Sequence, residues 1–167
     1  MKRVKVGVIG CGHIAQEVHI PNYMENSKSI LEAVCDVNQD ISNEVAMEYK
    51  LKHVFNDYRE LLDSDLVEAV SVCVPTSLHS KVVIDAVTCG IHVLCEKPLA
   101  TDMKEADEML EAVSRSGVKF MVGFNRRFLP NHMKAKEYLE KGKIGRPILA
   151  RAQTITAGPY ENEIEKS

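Results

Sequence analysis

The sequence lacks the features that mark several protein classes. No apolar run approaches the roughly 18 residues that are needed to span a bilayer. Met1-Lys2-Arg3 leads directly into an apolar segment that contains Lys5, which is not the pattern of a signal peptide. The formal net charge of −3 offers no basic patch to nucleic acid or to an anionic membrane. We therefore expect neither a membrane nor a nucleic acid among the partners of this chain.

A disulfide framework is not indicated either, because the five cysteines are an odd number and several fall in predicted buried strands. Free thiols are typical of a reducing compartment, so we expect a cytoplasmic protein. The spacing Cys89-x-x-His92-x-x-Cys95 resembles that of metal ligands. Because His92 and Cys95 fall on or beside a strand, whose side chains alternate between faces, a structural role is favoured and no metal site is predicted.

Apolar, β-branched segments alternate with helical patterns along most of the chain, with no internal repeat and no low-complexity linker. Such alternation predicts an α/β fold in which helices cover both faces of a doubly wound parallel sheet, the Rossmann fold. The predicted strands are Val4–Ile9, Ile30–Cys35, His53–Phe55, Ala69–Val74, Ile91–Cys95 and Phe120–Gly123.

Two of the helical patterns make detailed predictions. The first helix is predicted from about His13 to Tyr23, with Pro21 unfavourably placed near its end. A later, long helix begins with a capping box formed by Asp102 and Glu105. The residues of this helix that are predicted to face the core are Met103, Ala106, Leu110 and Val113.

The character of the sequence changes after Phe124. A surface helix is predicted from His132 to Lys141, and the alternation from Ile148 to Thr156 predicts a half-buried strand. Such a strand needs a sheet to join, and the polar, acidic residues that follow do not supply one. The predicted organisation is a Rossmann domain over 1–124, a connecting helix and first strand of a second α+β domain over 125–156, and a disordered tail over 157–167.

The first strand leads into a glycine-rich turn, Gly10-Cys11-Gly12-His13-Ile14-Ala15. Glycines allow a tight bend and close approach of the backbone to a pyrophosphate, and the following helix N-terminus supplies N–H groups for the anion. Ala15 replaces the third glycine and is small enough for close packing of helix on strand. The pattern favours a dinucleotide-binding turn, with an ordinary glycine-rich turn of another α/β protein as the alternative. The residues predicted to contact a cofactor here are Gly10, Cys11, Gly12, His13 and Ile14.

An acidic residue stands where the second strand is expected to end. Asp36 follows Gly10 by 26 residues, close to the offset of about 20 beyond the turn that is typical of dinucleotide-binding folds. Its carboxylate can accept hydrogen bonds from ribose hydroxyls, and Val37 and Asn38 provide no arginine to hold a 2′-phosphate. The predicted cofactor is therefore NAD rather than NADP. A second interpretation, compatible with the first, is that Asp36 caps the following helix.

Three loops are expected to meet at the carboxyl edge of the sheet, where doubly wound folds bind their ligands. Beside the glycine turn, these loops contain Pro75, Thr76 and His79 after the fourth strand, and Glu96-Lys97-Pro98 after the fifth. Lys97 is the predicted catalytic residue, because its cation can bind a substrate hydroxyl and stabilise negative charge as hydride leaves. His79 is either a site residue that helps to orient the ligand or a structural residue at the start of a helix.

These motifs resemble those of the Gfo/Idh/MocA oxidoreductases, the glucose–fructose oxidoreductase and inositol dehydrogenase group. The resemblance covers the chain up to about residue 156. Its motifs are Gly10–Ala15, Asp36, Pro75-Thr76 with His79, Glu96-Lys97-Pro98, and Val122-Gly123-Phe124-Asn125-Arg126-Arg127-Phe128.

The resemblance implies that a secondary alcohol of a sugar, cyclitol or related polyol is oxidised to a ketone, or the reverse, with NAD or NADP. By analogy with the family, Lys97 contacts the substrate and the nicotinamide, and Glu96 and Pro98 shape the loop. Asn125 to Arg127 lead towards the second domain. The cofactor-binding residues implied in the later loops are Pro75, Thr76, His79, Glu96 and Lys97.

Whole members of the family continue into a larger domain with an open antiparallel sheet, which carries substrate-binding residues, a catalytic histidine and acid, and the oligomer interface. In this chain only Ile148 to Thr156 resembles that domain, as its first strand, so we expect an incomplete enzyme. Two functions stay open: an oxidoreductase that needs the missing half, and a dinucleotide-binding module without catalysis. An S-adenosylmethionine-dependent methyltransferase is disfavoured by Glu96-Lys97-Pro98.

Overall fold

The computed structural model describes residues 2–153, which form two compact units that divide between Phe124 and Asn125. The first unit is built on a six-stranded sheet. Its strands are β1 (Val4–Ile9), β2 (Ser29–Cys35), β3 (His53–Phe55), β4 (Ala69–Val72), β5 (His92–Cys95) and β6 (Phe120–Val122).

A helix connects each strand to the next along the chain, as the crossovers of a parallel sheet require. Within the described residues, no helix combines the length and the apolar character that crossing a membrane demands. The helices of the first unit are a π-helical turn (Ala15–His19) that continues into α1 (Ile20–Glu25), α2 (Gln39–Tyr49), α3 (Tyr58–Leu62), a 3-10 turn (Thr76–Leu78) that continues into α4 (His79–Thr88), and α5 (Met103–Ser116).

The strand order is β3-β2-β1-β4-β5-β6, and every neighbouring pair is parallel. This is the order of the Rossmann fold, and it confirms the predicted doubly wound sheet. The order reverses between β1 and β4, so the loops after these two strands leave on opposite sides and open a crevice. Ile9 pairs with Val72 at the carboxyl ends of the two strands, which places Gly10 and Cys73 at the start of the crevice.

Apolar residues at alternate strand positions fill both faces of the sheet. Val8 belongs to a buried cluster with Ile20 of α1 and Val45 of α2. The adjacent Ile9 belongs to a second cluster, which includes Val83 of α4. Successive residues of a strand point to opposite faces, so both faces of the sheet are covered.

The first helix differs from the predicted one in its length and in its geometry. It is helical from His13 and continues to Glu25, two residues beyond the predicted end. The N–H of Ile20 donates to the carbonyl of Ala15, five residues back, immediately before Pro21. Because proline has no N–H and its ring crowds the preceding turn, this wider π-helical turn lets the helix continue through Pro21.

The long helix α5 has its predicted cap but a different buried face. Asp102 accepts a hydrogen bond from the Glu105 N–H at 2.9 Å, which confirms the cap. The prediction that Met103 and Leu110 face the core was wrong, since these side chains are 74% and 50% exposed. Leu110 lies about 100° around the helix from the neighbouring Met109, so the buried stripe misses it. The residues of α5 that pack in the core are Met109, Ala112 and Val113.

The second unit contains a 3-10 turn (Asn125–Phe128) and α6 (Pro130–Glu140). Helix α6 begins two residues earlier than predicted because Pro130 fits the first turn of a helix, and it contains no buried residue. The predicted strand was wrong over residues 148–153, which have no regular secondary structure. Residues 125–153 hold no other strand with which this segment could pair. The rest of the predicted strand and the predicted tail, residues 154–167, lie outside the described residues.

Candidate nucleotide-binding site

A cleft of about 370 Å³ opens at the carboxyl edge of the sheet, beside the crevice between β1 and β4. Four of the predicted site residues line it, namely Gly10, Gly12, Asp36 and Pro75. These residues follow three different strands, so the parallel topology brings together positions that are far apart in the sequence.

The two glycines of the turn have different structural roles. Gly10 has a φ of +90°, and a Cβ at this position would lie 2.7 Å from the carbonyl carbon and oxygen of Cys73. Only glycine fits there, because both the backbone angle and the neighbouring strand exclude a side chain. A Cβ at Gly12, by contrast, would meet no atom within 4 Å. Gly12 therefore leaves open space in the cleft rather than making room for a part of the protein.

The helix after the turn presents free N–H groups towards this edge. The N–H groups of Ala15 and Gln16 both donate to the carbonyl of Gly12, at 3.0 and 3.1 Å. These bonds begin the helical ladder, so the N–H groups of His13 and Ile14 lie ahead of it at the helix N-terminus. The arrangement suits an anion such as a pyrophosphate.

Asp36 joins the end of β2 to the glycine turn. Its Oδ2 accepts a hydrogen bond from the Cys11 N–H at 2.7 Å, and its Oδ1 accepts one from the Asn38 N–H at 2.8 Å. Each carboxylate oxygen keeps acceptor capacity for an incoming hydroxyl. The interpretation of Asp36 as a helix cap was wrong, because Asn38 caps α2 by accepting a hydrogen bond from the Asp40 N–H.

Cys11 is part of the turn, but its side chain points into the protein. The side chain is fully buried, with Sγ 3.7 Å from the Cys35 carbonyl oxygen. Burial, together with the nearby Asp36 carboxylate, raises the pKa of the Cys11 thiol to about 12. The thiol is therefore protonated and unreactive at neutral pH, and it fills space at the base of the turn.

The loop after β5 exposes one cation between two anchored neighbours. Lys97 is exposed, and its backbone N–H donates to Glu96 Oε2 at 3.0 Å. The Glu96 side chain is only 14% exposed, and its Oε1 lies 2.8 Å from His19 Nε2. His79 is 1% exposed, with Nδ1 2.9 Å from the Pro98 carbonyl oxygen and Nε2 2.9 Å from that of Val74.

These contacts divide the predicted site residues into two groups. Gly10, Gly12, Asp36 and Pro75 line the cleft directly. The side chains of Glu96 and His79 are instead bonded to other parts of the protein, so they support the surrounding loops. The predicted residues that do not line the cleft are Cys11, His13, Ile14, Thr76, His79, Glu96 and Lys97.

Ten further residues line the cleft but were not predicted as site residues, and Asn56, Tyr58, Leu78 and Lys81 are among them. Asn56 and Tyr58 follow the end of β3, so the rule that ligands lie beyond the carboxyl ends of strands would have indicated them. Leu78 and Lys81 belong to the helical segment after β4 and carry no motif that singles them out. Lys81 places a positive charge in the same cleft as the Asp36 carboxylate.

Residues 2–153 contain no group of three or more histidine, cysteine, aspartate or glutamate side chains that is arranged to hold a metal ion. Within the Cys89-x-x-His92-x-x-Cys95 spacing, the Cys89 side chain is exposed and the Cys95 side chain is buried. His92 accepts a hydrogen bond at Nδ1 from the Lys119 N–H at 3.1 Å, which links it to the chain next to β6.

Comparison with known proteins gives consistent matches. The model of the Gfo/Idh/MocA family, described as an oxidoreductase family with an NAD-binding Rossmann fold, matches residues 4–124. A myo-inositol 2-dehydrogenase of Thermotoga maritima is 36% identical over 156 residues, which cover 93% of this chain and 46% of that protein. A scyllo-inositol 2-dehydrogenase (NADP(+)) of Bacillus subtilis is 32% identical, with 83% of this chain and 42% of that protein covered.

A solved structure agrees with these matches. The scyllo-inositol dehydrogenase from Lactobacillus casei, with bound NAD(H) and scyllo-inositol, superimposes with a TM-score of 0.82 at 27% sequence identity. The match covers 86% of this chain and 43% of that one. The chain thus spans less than half the length of the relatives that it matches.

Proposed function

This chain belongs to the Gfo/Idh/MocA oxidoreductase family, and we propose that it is the nucleotide-binding part of an NAD-dependent polyol dehydrogenase. The proposed reaction is hydride transfer between nicotinamide and a secondary alcohol of a cyclitol or sugar. The inositols acted on by the similar proteins support this class of substrate. We further propose that residues 125–156 begin a substrate domain and that residues 1–124 hold the cofactor.

The observation that carries the proposal is the open space at Gly12 beside the anchored carboxylate of Asp36. A pyrophosphate fits the space that a Cβ at Gly12 would occupy, next to the N–H groups of His13 and Ile14. The ribose hydroxyls fit the remaining acceptor capacity of Asp36, which lines the same cleft. When bound, NAD supplies the hydride acceptor, and these residues supply its binding and orientation.

We propose NAD rather than NADP as the preferred cofactor. A 2′-phosphate next to the Asp36 carboxylate would place two negative charges in one cleft, which is unfavourable unless a cation compensates. The only cleft-lining cation among the described residues is Lys81. Lys81 and the NADP-dependent relative are the reasons to test both cofactors.

Lys97 is proposed to act on the substrate. Its exposed amine follows the end of β5, at the carboxyl edge where doubly wound sheets bind ligands. A cation there stabilises the negative charge that develops on the substrate oxygen as hydride leaves. Glu96, bonded to His19 and to the Lys97 N–H, shapes the loop and does not present a free carboxylate to a substrate.

The test is an assay of NADH formation, with NAD and a panel of inositols and sugars, by the chain fused to the second domain of a similar inositol dehydrogenase, since an enzyme that needs its missing half does not turn over without it. The account predicts that Lys97→Ala lowers turnover by about a hundredfold or more, the scale of one electrostatic catalytic group, without weakening NAD binding. Lys104→Ala removes an exposed lysine at the start of α5 and is the matched control. Equal turnover of Lys97→Ala and the unchanged chain would contradict the role of Lys97.

A dinucleotide-binding module without turnover is the second candidate. It is favoured by the engagement of both ring nitrogens of His19 and of His79 with protein partners, which leaves neither ring presented as a base. Saturable NAD binding without NADH formation on any polyol, even when the missing half is supplied by the second domain of a relative, would support this candidate over the dehydrogenase.

A further inference from the structure

Two buried histidines reach the loop after β5 from different helices. His19, from the π-helical turn before α1, contacts Glu96 on one side of Lys97. His79, from the start of α4, contacts Pro98 on the other side. We propose that His19 and His79 are positioning residues that together hold the Glu96-Lys97-Pro98 loop and thereby place the Lys97 amine. The functional meaning of this proposal rests on the proposed role of Lys97.

The contacts of His19 form a continuous chain of hydrogen bonds. Tyr23 OH lies 2.7 Å from Ser71 Oγ, which lies 3.1 Å from His19 Nδ1. His19 Nε2 lies 2.8 Å from Glu96 Oε1, and Glu96 Oε2 accepts the Lys97 N–H at 3.0 Å. With a neutral His19 ring, one arrangement of protons satisfies every member, in which Tyr23 donates to Ser71, Ser71 to Nδ1, and Nε2–H to the carboxylate.

The residues around these hydrogen bonds restrict the position of the Glu96 carboxylate. Ser71, in β4, is fully buried, and the His19 side chain is only 7% exposed. A Cβ on Gly123 would lie 3.1 Å from Glu96 Oε1, so the absence of a side chain there gives the carboxylate its space. Both carboxylate oxygens are therefore held, and the Lys97 backbone is fixed through one of them.

The contacts of His79 tie two loops together. Its Nδ1 faces the Pro98 carbonyl and its Nε2 faces the Val74 carbonyl, each at 2.9 Å. Both partners are acceptors, so a neutral ring donates to one of them at a time and a protonated ring donates to both. Through this ring, the loop after β4 and the loop after β5 are held in a fixed position relative to each other.

Such anchoring matters because Lys97 itself is exposed. A catalytic group on a loop must be held within about 0.5 Å of its productive position by neighbours whose own geometry is fixed. With Glu96 and Pro98 both anchored, only the Lys97 side chain remains to be ordered on binding. A histidine that merely filled space would not need its nitrogen atoms at these particular positions.

The test exploits the different reach of asparagine and glutamine. An asparagine amide nitrogen lies near the position of a histidine Nδ1, and a glutamine amide nitrogen lies near that of Nε2. His19→Gln therefore keeps a donor for Glu96, whereas His19→Asn keeps only the Ser71 side. The pattern reverses in α4, where His79→Asn keeps a donor for Pro98 and His79→Gln keeps only the Val74 side.

The measurement is amide hydrogen exchange at Lys97 by NMR, on the 167-residue chain without cofactor. We expect exchange close to that of the unchanged chain in His19→Gln and His79→Asn, and exchange about tenfold faster in His19→Asn and His79→Gln, the scale of one lost hydrogen bond. Similar exchange in all four variants, or the opposite order, would overturn the proposal. NAD titration of the same variants reports separately on the proposed function.

Gly123→Ala gives an independent test if a histidine variant does not fold. It leaves both histidines unchanged and crowds the Glu96 carboxylate directly. Faster exchange of the Lys97 amide in this variant is the expected result, with the exchange of amides in α2 unchanged. Unchanged exchange at Lys97 would contradict the claim that the position of Glu96 holds the loop.

Discussion

Asp36 and Cys11 are joined by a 2.7 Å hydrogen bond from the Cys11 N–H to the Asp36 carboxylate. The contact links the acid after β2 to the glycine turn after β1. The acid that we propose for the ribose thus also fixes the turn that we propose for the pyrophosphate. A change at Asp36 should therefore affect both cofactor choice and cofactor affinity.

Asp36→Asn is expected to weaken NAD binding about tenfold and to reduce the preference for NAD over NADP. The amide oxygen can still accept a hydrogen bond from the Cys11 N–H. The negative charge that opposes a 2′-phosphate is lost, however. The ribose hydroxyls also lose a hydrogen bond to a charged acceptor, which is worth about 1.5–3 kcal/mol. Asp40→Asn, at an exposed acid in α2, is the matched control. Calorimetric titration measures both affinities, and an unchanged NAD-to-NADP ratio in Asp36→Asn would contradict this role.

Substitution of the two glycines should separate folding from binding. Gly10→Ala places a Cβ against the Cys73 backbone at a positive φ, so we expect the free energy of unfolding to fall by about 2 kcal/mol or more. Gly12→Ala meets no protein atom, so stability should change by less than about 0.5 kcal/mol. The same methyl occupies the proposed pyrophosphate space and should weaken NAD binding roughly tenfold to hundredfold.

Urea denaturation and NAD titration of both glycine variants check this prediction. A Gly12→Ala chain that is stable and binds NAD normally would show that the open space at Gly12 is not the pyrophosphate site. A Gly10→Ala chain as stable as the unchanged chain would contradict the close approach to Cys73.

The buried face of α5 gives a stability prediction. Met109→Ala should lower the free energy of unfolding by about 2–5 kcal/mol, because a fully buried side chain is removed from the core. Leu110→Ala, one residue further along, removes a half-exposed side chain and should cost less than about 1 kcal/mol. Urea denaturation distinguishes the two, and equal effects would mean that the helix is rotated from the orientation described.

Alkaline conditions should destabilise the fold through its buried thiols. Burial raises the pKa values of Cys11, Cys35 and Cys95 from 9.0 to about 12. Between these pH values the unfolded chain has lost these protons and the folded chain has kept them, so stability falls as the pH rises. Each such thiol contributes a slope of about 1.4 kcal/mol per pH unit within that window.

Cys35→Ala tests this prediction by removing one of the buried thiols, which also include Cys73, whose pKa is likewise raised by burial. The slope of unfolding free energy against pH, measured with urea from about pH 8 to about pH 11, should become shallower by one thiol's contribution. Cys89→Ala, at an exposed position, should retain most of the slope. A stability that does not decline above about pH 9 would contradict the burial of these groups.

The sequence predicted the elements whose signal is local. The strand-to-helix turn at Gly10 and Gly12, the strand ending before Asp36 and the cap at Asp102 all depend on a few neighbouring residues, and the alternation of elements sufficed for the parallel sheet. The buried face of α5 was not predictable in this way, because Met103 and Leu110 are as apolar as the buried Met109 and only the position of the sheet distinguishes them. The segment from Ile148 has a strand-like pattern, but pairing depends on a partner strand.

The side-chain contacts that hold the loops of the candidate site could not be predicted from the sequence either. His19 and Glu96 are 77 positions apart, and only the strand order brings the first helix next to the loop after β5. His79 could be placed at the end of a strand, but its two carbonyl partners depend on the path of the loop at Pro98. Lys81 lies in α4 and carries no motif, so only the folded position of that helix shows that it lines the cleft.

Calorimetric titration of the 167-residue chain with NAD and, separately, with NADP tests the central claim most directly. The account predicts saturable, one-to-one binding of NAD, with NADP at least about tenfold weaker because its 2′-phosphate meets the Asp36 carboxylate. Absence of NAD binding by the folded chain, or NADP binding as tight as that of NAD, would contradict it.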